Sequence, residues 1–379
     1  MRAAIYPLIV FLSCTLSGSP VVGEKPQAVE DVSVPRGEGV KVEDWVTGLD
    51  IPWSLVFLPG GRALVSERRG RILLIEDGEL SEKPYAVLEE AVHIGEGGLM
   101  GLALHPQFPD EPYVYAMHTY SRGSGLGNRV VRLKHNGDTG AFDRVIVDDI
   151  PGGTNHNGGR VAFGPDGMLY ITTGETFRAE LAQDLESLGG KILRLTPEGD
   201  IPPDNPFPGS PVYSYGHRNP QGIAWRHGTG ELFASEHGPS GEFGTHAHDE
   251  INIISKGENY GWPKVIGAPS KEPYTDPIVA WKKATPPSGI EFSSGRLLKN
   301  LEGDLLVATL RSEALVRIVL GEDDGVARVE RWFEGRYGRL RDVVEGPEGA
   351  LYVLTNNTDG RGRPRAGDDR ILRILPAGD

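Results

Sequence analysis

Residues 154–160 read "TNHNGGR", a histidine between two asparagines and then a glycine pair, and they run directly into an apolar stretch. A neutral imidazole is well suited to take a proton near neutral pH, so His156 is a candidate general base. Its asparagine neighbours suit a turn in which side chains bond locally to backbone. The plainer reading is a polar loop histidine with no part in chemistry. A second group is cationic: "GHRNPQG" offers Arg218 and Asn219, and "GRLRDV" offers Arg339 and Arg341. Residues two apart on an extended segment point to the same side, so this pair suits a clamp on carboxylates, which guanidinium forks match well. Paired arginines on a strand also occur on exposed faces laced to acids. A third group, "HAHDE", holds His246 and His248 at a spacing that would suit a transition metal, but no other His or Cys with ligand spacing stands near it.

These groups are far apart in sequence, so a fold must gather them. With 52 Gly and 29 Pro among 379 residues, and no long apolar helical face, short strands joined by tight turns are expected. A turn followed by a short apolar strand recurs six times: "GRALVSER" from Gly61, "EPYVYAMH" from Glu111, "GMLYITTG" from Gly167, "GELFASEH" from Gly230, "GDLLVATL" from Gly303 and "GALYVLTN" from Gly349. Most copies precede a second apolar strand, such as "GRILLI", "KILRLT" or "DRILRIL". Each unit would form a small sheet unable to bury both faces alone, and radial packing solves that problem. The chain therefore reads as all-β, a six-bladed β-propeller; a pair of β-sandwiches is the alternative. A propeller site is assembled from several repeats, and the repeat ends are polar: Glu67, Arg68, His118, Glu175, Glu236, His237, Arg311 and Asn356.

A formal net charge of −14, with no basic stripe to offset it, excludes nucleic acid as a partner. The N-terminus carries one arginine, an apolar run and then small residues, the pattern of a secretory leader over 1–23. Residues 24–42 read as a polar arm and 43–379 as the propeller. The single cysteine, Cys14, lies inside the leader, so the mature chain would hold no disulfide. Periplasmic or secreted export is expected, with a lipid anchor on Cys14, and membrane contact through it, as the alternative.

In order along the chain stand "GEGGLMGLALHPQF", "TNHNGGR", "YGHRNPQGIAW", "SEHGPSGEFGTHAHDEINIISKGENYGWP", "TPPSGIEF" and "GRLRDV". Together these resemble the soluble aldose sugar dehydrogenases of the glucose/sorbosone dehydrogenase family. The resemblance implies a six-bladed propeller that uses pyrroloquinoline quinone (PQQ) and calcium, oxidises aldoses at C1 to lactones and passes electrons to an external acceptor. It implies that His156 is the base, oriented by Glu175 where better-known members carry Asp. It places Arg218 near the reactive quinone carbonyl, with Asn219 beside it and Arg339 and Arg341 over the ring and its carboxylates. Arg311 stands where the family often has a cofactor-contacting Lys, and Glu96 where it often has Gln. An added acid beside an anionic cofactor is unfavourable unless a cation meets it. By the same resemblance the carbonyls of Gly238 and Pro239 hold the cofactor's calcium, and the Glu250 side chain with the Tyr260 carbonyl holds a structural one. Trp281 is the candidate for stacking on the sugar, with core packing between blades as the alternative. Trp262 is assigned to structure, and "GRGRPR" at 360–365 to a solvated loop.

Two other functions compete. One is a calcium-dependent propeller lactonase or esterase; the other is a non-catalytic binding propeller. Only the dehydrogenase needs Arg218, Arg339 and Arg341 to converge with His156 on one channel.

Overall fold

The structure is a computed structural model describing residues 19–23, 31–321 and 325–378. Most of the segment read as a leader, Cys14 included, and arm residues 24–30 lie outside the described residues.

Each recurring turn-strand unit becomes the second strand of an antiparallel sheet: Ala63–Glu67, Tyr113–Arg122, Leu169–Thr173, Leu232–Glu236, Leu305–Thr309 and Leu351–Thr355. The following apolar runs are the third strands, and the innermost strands are Pro52–Phe57, Leu99–Leu104, Val161–Phe163, Pro220–Trp225, Pro287–Phe292 and Leu340–Glu345. Alternation along a strand explains the radial packing. In the fifth blade Val307 joins an apolar cluster with Phe233 and Ile251 of the fourth, while its neighbours Leu306 and Ala308 join one with Leu340 and Val353 of the sixth. One such cluster fills every junction around the ring, so each blade is buried on both faces only by its neighbours. The six-bladed propeller is the architecture observed.

The ring is closed by chain from the N-terminal side. Val40–Thr47 pairs antiparallel with Arg370–Pro376 as the outer strand of the sixth blade. This strand begins inside the stretch read as an arm, and Asp31–Val34 adds in parallel to Val326–Trp332 at the edge of the fifth blade. Val21–Gly23, the end of the segment read as a leader, pairs in parallel with Val265–Gly267.

Second strands finish where innermost strands begin, as the pairings Pro52 with Glu67, Pro220 with Glu236 and Leu340 with Thr355 show. The loops entering the innermost strands carry His156, Arg218 and Arg339. The polar strand ends and these loops therefore meet at one end of the channel.

Candidate active site

His156 is 5% exposed, and its backbone lies at φ 53°, a left-handed conformation that costs a non-glycine residue energy. Three contacts hold it there. Its N–H donates to Glu96 Oε2 at 3.0 Å, its carbonyl accepts from Thr176 N at 3.2 Å, and its Nδ1 meets Glu175 Oε1. A Cβ on Gly174 would lie 2.0 Å from the His156 carbonyl oxygen, so only glycine allows this approach. With the carboxylate accepting from Nδ1–H, Nε2 is the nitrogen left with a free lone pair. The flanking asparagines divide their work. Asn157 bonds locally to both backbone groups of Gly153, while Asn155 donates at 3.0 Å to Glu96 Oε1 across the chain.

Glu96 is thus a brace of the histidine loop, with both oxygens taken up by the chain, and not a free cofactor contact. Burial works against its charge, but Arg361, His237 and His156 hold its carboxyl far below the usual range. Arg361 lies in "GRGRPR", so that loop is not simply solvated: it delivers the cation that Glu96 needs.

Beside the base stands a buried group of cations: Arg68 at 2% exposure, Arg218 at 1%, Arg339 at 7% and Arg341 at 3%. Arg341 donates to Gln221 Oε1 at 2.6 Å and to Asn356 Oδ1 at 3.0 Å, and Arg339 to Asp359 at 3.1 Å. The Nε atoms of Arg68, Arg339 and Arg341 and the Asn356 amide nitrogen are buried without a partner among the described residues. Burial, and then the charges of Arg68 and Arg339, push the Arg341 pKa well below its ordinary value. Such a group is costly unless an anion meets it. His237 sits at the centre of the field. Burial, aided by Arg218, Arg341 and His156, lowers its pKa to about 3 against the pull of Glu96. Asn219 links the halves, accepting from Gly158 N at 3.0 Å while its amide nitrogen lies 3.4 Å from His237 Nδ1.

Arg218 is held by Glu242 through Nε and Nη2, lies 5.4 Å from the Trp262 ring centroid, and donates to the His237 carbonyl at 3.3 Å. Next to it a cavity of about 10 Å³, room for one water-sized sphere, is lined by Gly238, Pro239, Glu250 and Tyr260 together with Glu236. All four residues expected to bind metal therefore meet. Burial, and then the neighbouring Glu236, raise the Glu250 pKa well above the usual carboxylate range. Among the described residues no group of three or more His, Cys, Asp or Glu side chains is assembled for a metal. Arg218, His237, Trp262, Val265 and Ile266 share the lining, so the oxygen ligands that calcium prefers would have to come from Glu236, Glu250 and backbone carbonyls.

Two expected residues stand apart. Arg311, beyond the fifth blade's second strand, is exposed and outside the buried cluster. Trp281 is 6% exposed on the outermost strand of the fourth blade, packed with Ile251, Ile290 and Phe292, its Nε1 donating to Asp31. Its apolar surface is spent between blades, so it does not close the site. The aromatic at the base is Phe177, 58% exposed with its ring centroid 4.1 Å from that of His156. Phe243, 55% exposed, lies 5.7 Å from Trp262 over the Arg218 side. Both occupy left-handed backbone, which the turn-rich inserts around them do not announce.

The sequence model of the Glucose / Sorbosone dehydrogenase family matches residues 49–372. The chain belongs to that family. An aldose sugar dehydrogenase of Escherichia coli is 32% identical over 85% of this chain and 91% of its own length. Among solved structures, an oxidoreductase of Thermus thermophilus described as a glucose dehydrogenase is 55% identical, with a TM-score of 0.83 over 89% of this chain and 100% of its own. The PQQ-bound aldose sugar dehydrogenase of Streptomyces coelicolor is 41% identical, with a TM-score of 0.79 over 90% of this chain and 99% of its own.

Proposed function

We propose that the protein is a PQQ- and calcium-dependent dehydrogenase that oxidises aldose sugars at C1 to lactones and passes electrons to an external acceptor after export to the periplasm or medium. The observation that carries this reading is the meeting, at one channel mouth, of the His156–Glu175 pair with a buried arginine group that has unpartnered donors. Arg68, Arg339, Arg341 and Asn356 would hold the carboxylates of the quinone, with Arg218 and Asn219 beside its ring. The carbonyls of Gly238 and Pro239 would hold its calcium, and Glu250 with Tyr260 a structural ion. When bound, the quinone supplies the acceptor for the hydride from C1, and the ion a Lewis acid that polarises it.

The chain's own residues do the rest. His156 Nε2 takes the proton of the C1 hydroxyl, and Glu175 fixes the tautomer and stabilises the imidazolium that forms. Arg218, kept in place by Glu242, holds positive charge beside the reacting centre. Phe177 covers one side of the imidazole and offers a flat apolar surface to the sugar, the task Trp281 cannot perform. Phe177→Ala is expected to raise KM for aldoses about 5-fold, the equivalent of ~1 kcal/mol of lost aromatic contact, with kcat little changed. Steady-state kinetics with an unaltered KM would remove Phe177 from the sugar site. A lactonase has no use for the buried arginines, and a non-catalytic propeller none for the imidazole–carboxylate pair.

The test is reconstitution of the purified protein with PQQ and calcium, following dye reduction with a panel of aldoses. Activity is expected to need both additions and to vanish with a calcium chelator. Failure to bind the quinone at all would overturn the proposal.

A further inference from the structure

Glu96 occupies the turn that leads into the second blade, where its N–H donates to the Thr154 carbonyl at 2.7 Å. Its side chain then returns to the same loop, accepting from His156 N and from Asn155 Nδ2, both at 3.0 Å. These bonds fix the one residue whose left-handed backbone aims the imidazole. The third partner of Glu96 comes from elsewhere: Arg361, in the loop after Leu351–Thr355 of the sixth blade, reaches past the first blade to the second. Arg361 is itself tied down, because its N–H donates at 2.9 Å to Asp359, the same carboxylate that accepts from Arg339 at 3.1 Å. A continuous path of hydrogen bonds and one short stretch of backbone therefore joins the arginine group to the backbone of His156.

We propose that the Glu96–Arg361 pair is a brace that holds His156 in its reactive conformation, which makes Arg361 a positioning residue for the base. This rests on His156 being the base. An ionised carboxylate accepts at both oxygens, whereas protonation turns one of them into a donor, and a buried carboxylate stays ionised only beside a compensating cation. Without Arg361, Glu96 would turn toward water or take up a proton, and the Asn155–His156 segment would lose its acceptors. The left-handed His156 would then relax toward ordinary backbone and carry Nε2 away from the reacting hydroxyl.

Four variants test the brace: Glu96→Ala, Arg361→Ala, the double variant and Arg361→Lys, each loaded with PQQ and calcium. Each single alanine is expected to lower kcat by about 10- to 100-fold, the usual cost of a small misplacement, with quinone affinity unchanged by fluorescence titration. The double variant should be no worse than the worse single, because the two residues act as one unit. Arg361→Lys should recover most of the loss. Amide exchange of the His156-containing peptide, measured by mass spectrometry on cofactor-free protein, should accelerate in all three alanine variants. Because the Arg361 side chain is 48% exposed, its truncation leaves the core untouched. Wild-type kcat in Arg361→Ala, losses that multiply in the double variant, or unaltered exchange at His156 would each overturn the brace. An active His156→Ala would instead overturn the assignment of the base, while the exchange result would still judge the brace.

Discussion

His156→Ala is expected to lower kcat by about 10³-fold or more, within the range for loss of a positioned general base plus its orienting partner. The variant should keep its fold, its quinone affinity and its stabilisation by calcium. The imidazole combines a lone pair directed by a carboxylate with a place beside the aromatic surface of Phe177. His237 is no substitute, because burial and the surrounding arginines keep it from accepting a proton anywhere near neutral pH. Stopped-flow reduction of the loaded enzyme by an aldose would measure the step directly. Retention of the parent rate would sink the role assigned to His156.

Arg341→Gln is expected to weaken quinone binding by about 100-fold or more, since truncating one side of a buried charge pair costs ~3 kcal/mol. The cofactor-free variant should nevertheless be at least as stable as the parent. Burial and the charges of Arg68 and Arg339 make the Arg341 cation unfavourable in the absence of an anion, so its removal relieves strain. The two effects have opposite signs, which separates a binding role from a structural one. Thermal denaturation with and without PQQ reads both: the parent should gain strongly from the ligand and the variant little. Equal affinity in both proteins would mean that the anion site lies elsewhere.

Much of this was legible in the sequence, and the exceptions have physical causes. The second strands stood out because both faces are buried between blades, which makes them short apolar runs after a turn. The innermost strands did not, since residues such as Ser54, Gln221, Ser288 and Asp342 serve a polar interior instead of an apolar one. His156, Arg218, Arg339 and Arg341 were found because their motifs are distinctive. Arg68 was visible only as a polar strand end, although it shares the field of Arg341. Trp281 was misplaced because its sequence does not say whether an aromatic at a strand end faces the channel or the next blade. Phe177 and Phe243 escaped because their direction depends on left-handed backbone in irregular loops. Arg361 escaped because its partner is 265 positions away, and nothing in "GRGRPR" distinguishes a solvated arginine from a bridging one.

The closure of the sixth blade by Val40–Thr47 against Arg370–Pro376 has a temporal meaning. The sheet that presents Arg339 and Arg341 lacks its third strand until Arg370–Pro376 has been synthesised. Five blades' worth of polypeptide separates the two strands, and until they pair one face of the first and of the sixth blade is uncovered. The junctions between consecutive blades need no such contact, but the ring closes only when these two strands meet. The buried arginine group, to which Arg339 and Arg341 belong, is complete only once that closure has been made.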